Sequence, residues 1–66
     1  MYRVGEKIKA ARIKRGLSMR ELGKKLNPPV TQPTVSDWES GKKMPKLMNY
    51  LQLQKIIGPL MEDNDE

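Results

Sequence analysis

The stretch TQPTVSDWESGK, residues 31–42, reads as a short helix with both ends spelled out. Thr31 is the residue type that caps a helix start. Pro33 falls in the first turn, where its missing N–H costs little, and Gly41 suits the left-handed position just past a helix end. Val35 and Trp38 lie three residues apart and so share one side. Stepping by about 100° per residue puts Thr31 and Trp38 beside Val35 on the inside and Pro33, Ser36, Asp37 and Ser40 on the outside. Gln32 stands at the leading end. The outer residues are short and carry no positive charge.

Upstream, Val4, Ile8 and Ala11, with Arg12 and Arg15 beside them, follow the spacing of a first helix that ends near Gly16. Ser18 and Glu21 then form a capping box ahead of Leu22 and Leu26, which announces a second helix. Asn27-Pro28-Pro29 ends it, because neither proline can donate a backbone hydrogen bond and Pro28 disfavours the helical state at Asn27. Downstream, KKMPK is a basic loop. A last helix runs from Pro45 or Leu47 to Ile57, with Leu47, Tyr50, either Leu53 or Gln54, and Ile57 on one side. Gly58-Pro59 is a strong stop, and residues 60–66 read as a frayed acidic tail. Helical spacing explains the whole chain, and no run alternates as a strand would.

With 66 residues and no cysteine, the chain is one small domain whose core only just offsets the entropy of folding, and no disulfide or thiolate metal site staples it. No apolar run reaches membrane-spanning length, and the N-terminus lacks a signal peptide's apolar stretch. The expected setting is therefore the cytoplasm. The formal net charge is +5, but Glu62, Asp63, Asp65 and Glu66 crowd the end; positions 1–61 hold 13 basic and 4 acidic residues, a net of +9. A surface this positive implies a polyanionic partner, nucleic acid before an anionic membrane.

Taken alone, the outer face of residues 31–40 could be an ordinary solvated helix surface. On a basic chain it also has the shape that a major-groove floor can approach, with Gln32 and Asp37 offering hydrogen-bonding groups to base edges. Lys42, Lys43 and Lys46 follow where phosphates would flank it. Arg12 and Glu39 each sit beside an apolar residue of their helix, so each would be costly to desolvate unless the two were paired; the alternative is two independent surface charges.

The stretch RIKRGLSMRELGKKLNPPVTQPTVSDWESGKKMP, residues 12–45, resembles the helix-turn-helix of the phage repressor and Cro family, the Xre-like transcriptional regulators. The similarity covers residues 4–58 and is most specific at GLS, at TQPTVSDWESGK and at the MP before the last helix. The resemblance implies an all-α, lambda-repressor-like domain of four to five short helices over residues 1–59, followed by the acidic tail 60–66. It implies a Cro-type repressor that binds double-stranded DNA sequence-specifically, with recognition helix 31–40 in the major groove. Base reading then falls to Gln32, Pro33, Ser36 and Asp37, and phosphate contact to Arg20, Thr34, Ser40, Lys42, Lys43 and Lys46. Arg12 and Glu39 match an ion pair between the first and third helices. Leu22, Leu26, Val35 and Trp38 match the core, and Gly23 the small residue that lets two helices approach. A homodimer on a pseudo-palindromic site, with half-sites about 34 Å apart, is the default geometry.

Three departures from the family pattern stand out. Met19 replaces the usual Gln at the start of the second helix and is free to pack on the core. Two extra residues, most simply Pro28-Pro29, lengthen a turn that usually relies on a left-handed Gly, so the chain must take another path there. The fifth helix is reduced to PLMEDNDE, which bears on any dimer interface. Met19, the Pro-Pro insertion and Asp37, each a departure from the DNA-reading pattern, favour an alternative: a protein-interaction module on the same fold, antirepressor or antitoxin-like, that binds another regulator.

The remaining signals are weaker. The first helix is basic, but Val4, Ile8 and Ala11 offer too little apolar area to insert into a membrane. Met44, Met48 and Met61 suit a soft partner-binding surface, Met48 suits a gap in the core equally, and Leu60 and Met61 suit contact with a second subunit. Without His, Cys, a glycine-rich phosphate loop or paired carboxylates outside the tail, no enzymatic chemistry, cofactor, metal site or small-molecule ligand is expected. The tail acids are the composition of a solvated tail, one able to compete with DNA for the basic face.

Overall fold

The computed structural model describes residues 4–58. Within them the chain forms four helices, α1 (Val4–Lys14), α2 (Met19–Lys24), α3 (Gln32–Ser40) and α4 (Leu47–Ile57), and no strand. Residues 60–66, where the acidic tail and a fifth helix were expected, lie outside the described residues. The core is built from Val4 and Ile8 of α1, Leu22 of α2, Leu26 of the turn, Val35 and Trp38 of α3, and Leu53 and Ile57 of α4. The helix pairs that meet are α1 with α3, α2 with α3, and α1 with α4. Met19 is partly buried against this core, so its thioether packs where a Gln would have reached outward.

The capping chemistry of α2 forms in full. The Ser18 hydroxyl accepts from the Glu21 amide at 3.0 Å, and the Ser18 amide donates to Glu21 Oε1 at 2.8 Å. The Ser18 amide first, and the Ser18 hydroxyl beside it, hold the Glu21 carboxyl below the usual carboxylate range. The folded chain therefore keeps Glu21 more acidic than the unfolded chain does. Its contribution is complete above the unfolded value and is lost as pH falls through the folded one. Glu21→Gln keeps both bonds without the charge. It should flatten the acid limb of the melting temperature against pH, and an unchanged acid limb would count against the assignment.

α2 is shorter than its apolar spacing suggests. It ends at Lys24 rather than running to Asn27, and the chain tightens at once: the Lys25 amide donates to the Leu22 carbonyl at 3.1 Å and the Leu26 amide to the Gly23 carbonyl at 3.3 Å. Leu26 is buried from the turn. The Asn27-Pro28 peptide bond is cis, and among the described residues only glycines have positive φ, so the turn uses no left-handed residue before α3. Val30 returns its amide to the Gly23 carbonyl at 3.0 Å. A Cβ on Gly23 would collide with the Val30 carbonyl. The small residue thus admits the returning turn, which corrects the expectation that it serves an approach of two helices.

Two side chains of the expected inner faces point elsewhere. Thr31 caps α3 in an extended conformation and is exposed, because a cap residue lies outside the helical rotation that placed it beside Val35. Leu47 is 72% exposed. The spacing left Leu53 and Gln54 as rivals for the inner face of α4. Leu53 takes it, and Leu47, six residues earlier, is then rotated about 120° away. Met48 lies five residues before Leu53, about 140° round the helix; it is 66% exposed and fills no gap in the core.

Candidate nucleic-acid interface

The placement of α3 starts with what lies behind it. Val35 and Trp38 are buried, and α1 crosses the far end of α3 so closely that a Cβ on Gly5 would collide with the backbone carbonyls of Trp38 and Glu39. Beside this crossing Arg12 reaches Glu39, with Nε 2.7 Å from Oε2 and Nη2 3.2 Å from Oε1. Its remaining arm, Nη1, donates to the Leu17 carbonyl at 2.8 Å. The two side chains are only 10% and 4% exposed. One guanidinium therefore fastens α1, the loop after it and α3 together with charge-assisted bonds, the strong kind where water is scarce.

With its inner side so fixed, α3 exposes Gln32, Pro33 and Ser40, while Ser36 and Asp37 are half-buried beside them. Thr34 is also half-buried, its hydroxyl 3.2 Å from that of Thr31. At the leading end, Arg20 and Lys24 of α2 share a shallow depression with Val30, Thr31 and Gln32. Pro28 and Pro29 are exposed.

At the trailing end the Asp37 carbonyl gathers the chain. It accepts from the amides of Lys42 at 2.9 Å and Lys43 at 3.2 Å, and from the Ser40 hydroxyl at 3.2 Å. Gly41, at φ 83°, makes the reversal possible. Lys42 and Lys43 therefore leave α3 immediately, and both are exposed, as is Lys46 at the start of α4. Lys43 Nζ lies 4.0 Å from Asp37 Oδ2, a surface pair worth little.

Basic groups thus stand at both ends of a short helix whose exposed face is uncharged apart from Asp37. Of the acids among the described residues, Glu21 is engaged in the cap and Glu39 with Arg12. Such an arrangement suits a narrow, regularly charged anion with hydrogen-bonding edges between its charges. No group of three or more potential metal ligands occurs among the described residues, and none of their helices is long and apolar enough to cross a membrane.

Three participants were not anticipated: Gly5, the Leu17 carbonyl on Arg12, and Gln52 of α4. The side chain of Gln52 accepts from the Asn27 amide at 2.9 Å and donates to the Asn27 carbonyl at 2.7 Å. Gly5 left a faint signal, a glycine inside a helical run where propensity favours alanine. Gln52 left none, because its partner is backbone.

A family model described as Helix-turn-helix matches residues 8–59, most of the chain. No curated protein and no solved structure matches it.

Proposed function

The chain belongs to the Xre-like helix-turn-helix family of DNA-binding transcription regulators, and from that premise we propose that it is a Cro-type repressor that reads duplex DNA with α3. The observation that carries this reading is the exposed Gln32 and Pro33 on a helix with Arg20 at one end and Lys42, Lys43 and Lys46 at the other. Gln32, Pro33, Ser36 and Asp37 face base edges; Arg20, Thr34, Ser40 and the three lysines meet phosphates. Residues 1–59 act as the DNA-binding unit and 60–66 as an acidic tail. Two copies occupy a pseudo-palindromic site in cytoplasmic DNA, and occupancy of promoter DNA is itself the repression, with no reaction catalysed.

Selection from a random duplex pool, followed by salt titration on the winner, tests the reading. The expected result is a two-fold motif whose affinity falls steeply as salt rises. Absence of any preferred sequence would overturn it. Gln32→Ala should cost about 1–3 kcal/mol on the selected duplex and relax one position, whereas Lys42→Ala should weaken all duplexes alike and lower the salt slope by about 1. Equal losses from both variants on selected and random DNA would remove Gln32 from base reading.

A second reading rests on a separate observation. Met44, Leu47, Met48 and Leu51, spaced i, i+3, i+4 and i+7, are exposed ahead of and along the first half of α4, and neighbouring exposed apolar groups mark interaction surfaces. Their exposure supports the protein-interaction alternative, in which the same fold binds another regulator. Tight binding to such a regulator, with no duplex shifted at low salt, would favour it.

A further inference from the structure

Pro28 and Pro29 have no amide to give, so the turn between α2 and α3 has few bonds with which to fix its own path. Its two ends are held by Gly23: the Leu26 amide and the Val30 amide both donate to the Gly23 carbonyl. Between those ends lies Asn27, and both of its backbone groups are taken by one side chain from another helix. Gln52 Oε1 accepts the Asn27 N–H, and Gln52 Nε2 donates to the Asn27 carbonyl. A primary amide facing a backbone amide in this way fixes position and direction together, since each bond restrains the rotation the other would allow.

We propose that Gln52 is a positioning residue for DNA reading: it grips the long turn from α4 and thereby sets where the leading end of α3, and Gln32 upon it, meets a base edge. The inference rests on the reading of α3 as the recognition helix. Gln32 follows Asn27 by five residues, with two prolines and the Gly23–Val30 contact between. A turn released at Asn27 is held only by the two amides on the Gly23 carbonyl, and the added freedom reaches Val30 and through it the entry to α3 without unfolding the helix. Direct base contacts tolerate only about 0.5 Å of such displacement. Phosphate contacts tolerate more, and Lys42, Lys43 and Lys46 are fixed independently, through Asp37 and α4, at the opposite end. Gln52 therefore acts on sequence preference and leaves the electrostatic part of binding alone.

The test compares the full chain with Gln52→Met, which keeps the length of the side chain and removes both bonds, at a temperature where circular dichroism shows both to be folded. The quantity read is the ratio of Kd on a random duplex to Kd on the duplex selected by the wild-type chain, with the salt slope measured alongside. We expect the ratio to fall about tenfold, the size of one lost base contact, with an unchanged salt slope. Equal weakening on both duplexes would make Gln52 an ordinary stabiliser and overturn the inference, as would an unaltered ratio. If Gln52→Met does not fold, Gln52→Glu, which keeps the acceptor for the Asn27 amide but sets an anionic oxygen against the Asn27 carbonyl, should also lower the same ratio; no fall overturns the inference. A wild-type chain without sequence preference would defeat the recognition-helix reading itself, a result distinguishable from failure of Gln52 because it appears before any substitution.

Discussion

Arg12→Met is expected to lower the free energy of unfolding by about 3–5 kcal/mol, because it leaves the Glu39 carboxylate desolvated without its counter-charge. The geometry makes the loss severe. Three nitrogens of Arg12 are engaged, two by Glu39 and one by the Leu17 carbonyl, and both charged side chains are close to fully buried. A domain of this size has little more than about 3–5 kcal/mol of stability in all, so the variant should be largely unfolded at 37 °C by circular dichroism. Arg12→Lys should recover only part, since an ammonium cannot bridge two carboxylate oxygens and a carbonyl in one plane. Replacing both partners, Arg12→Met with Glu39→Leu, should restore much of the loss, as apolar substitutes for buried ion pairs often do. Urea unfolding that places Arg12→Met within 1 kcal/mol of the parent would show that the pair does not matter.

Gly5→Ala sets two effects against each other. Helix propensity alone predicts a gain of about 1 kcal/mol, since glycine is the poorer helix former. The added methyl, however, would enter the carbonyl oxygens of Trp38 and Glu39. Those atoms are backbone and cannot swing aside as a side chain would, so α1 must lift from α3 at the crossing where Trp38 is buried. Overpacking of this kind costs up to about 3 kcal/mol or slightly more, and sterics should prevail over propensity. The expected result is a net loss of up to about 2 kcal/mol, seen as a lowered midpoint in urea. A raised midpoint would mean that the two helices part at no cost.

Chemistry local to a few residues was legible in the sequence. The Ser18–Glu21 box and the glycines at 16, 41 and 58 occur where their residue types require, because each depends on the backbone a few atoms away; Thr31 takes the cap position of α3, but its hydroxyl makes no capping bond. The burial of Val35 and Trp38 follows from spacing within one helix. Legibility failed where two faces were equally consistent with the pattern. Leu47 and Leu53 cannot both face inward, and only the position of α1 against α4 decides between them. It failed again where a backbone group is the partner: Gly23 meets the Val30 carbonyl, Gly5 the carbonyls of α3, and Gln52 the peptide groups of Asn27. Residue identities record side-chain chemistry and say little about which peptide passes nearby. The surface of α3 lies between these cases, for its polar residues and trailing lysines are plain in the sequence, while the half-burial of Ser36 and Asp37 appears only once α3 has been seated.

The packing order, α1 on α3 and α4 on α1, also governs how the protein can be made. Translation delivers Val4 and Ile8 first, yet the helix that covers them is completed only at Ser40, and the core waits further for Leu53 and Ile57. During synthesis the early apolar residues therefore stay wet until nearly all of the described chain has cleared the exit tunnel. The described residues therefore close their shared core in one late step, once α4 is in place.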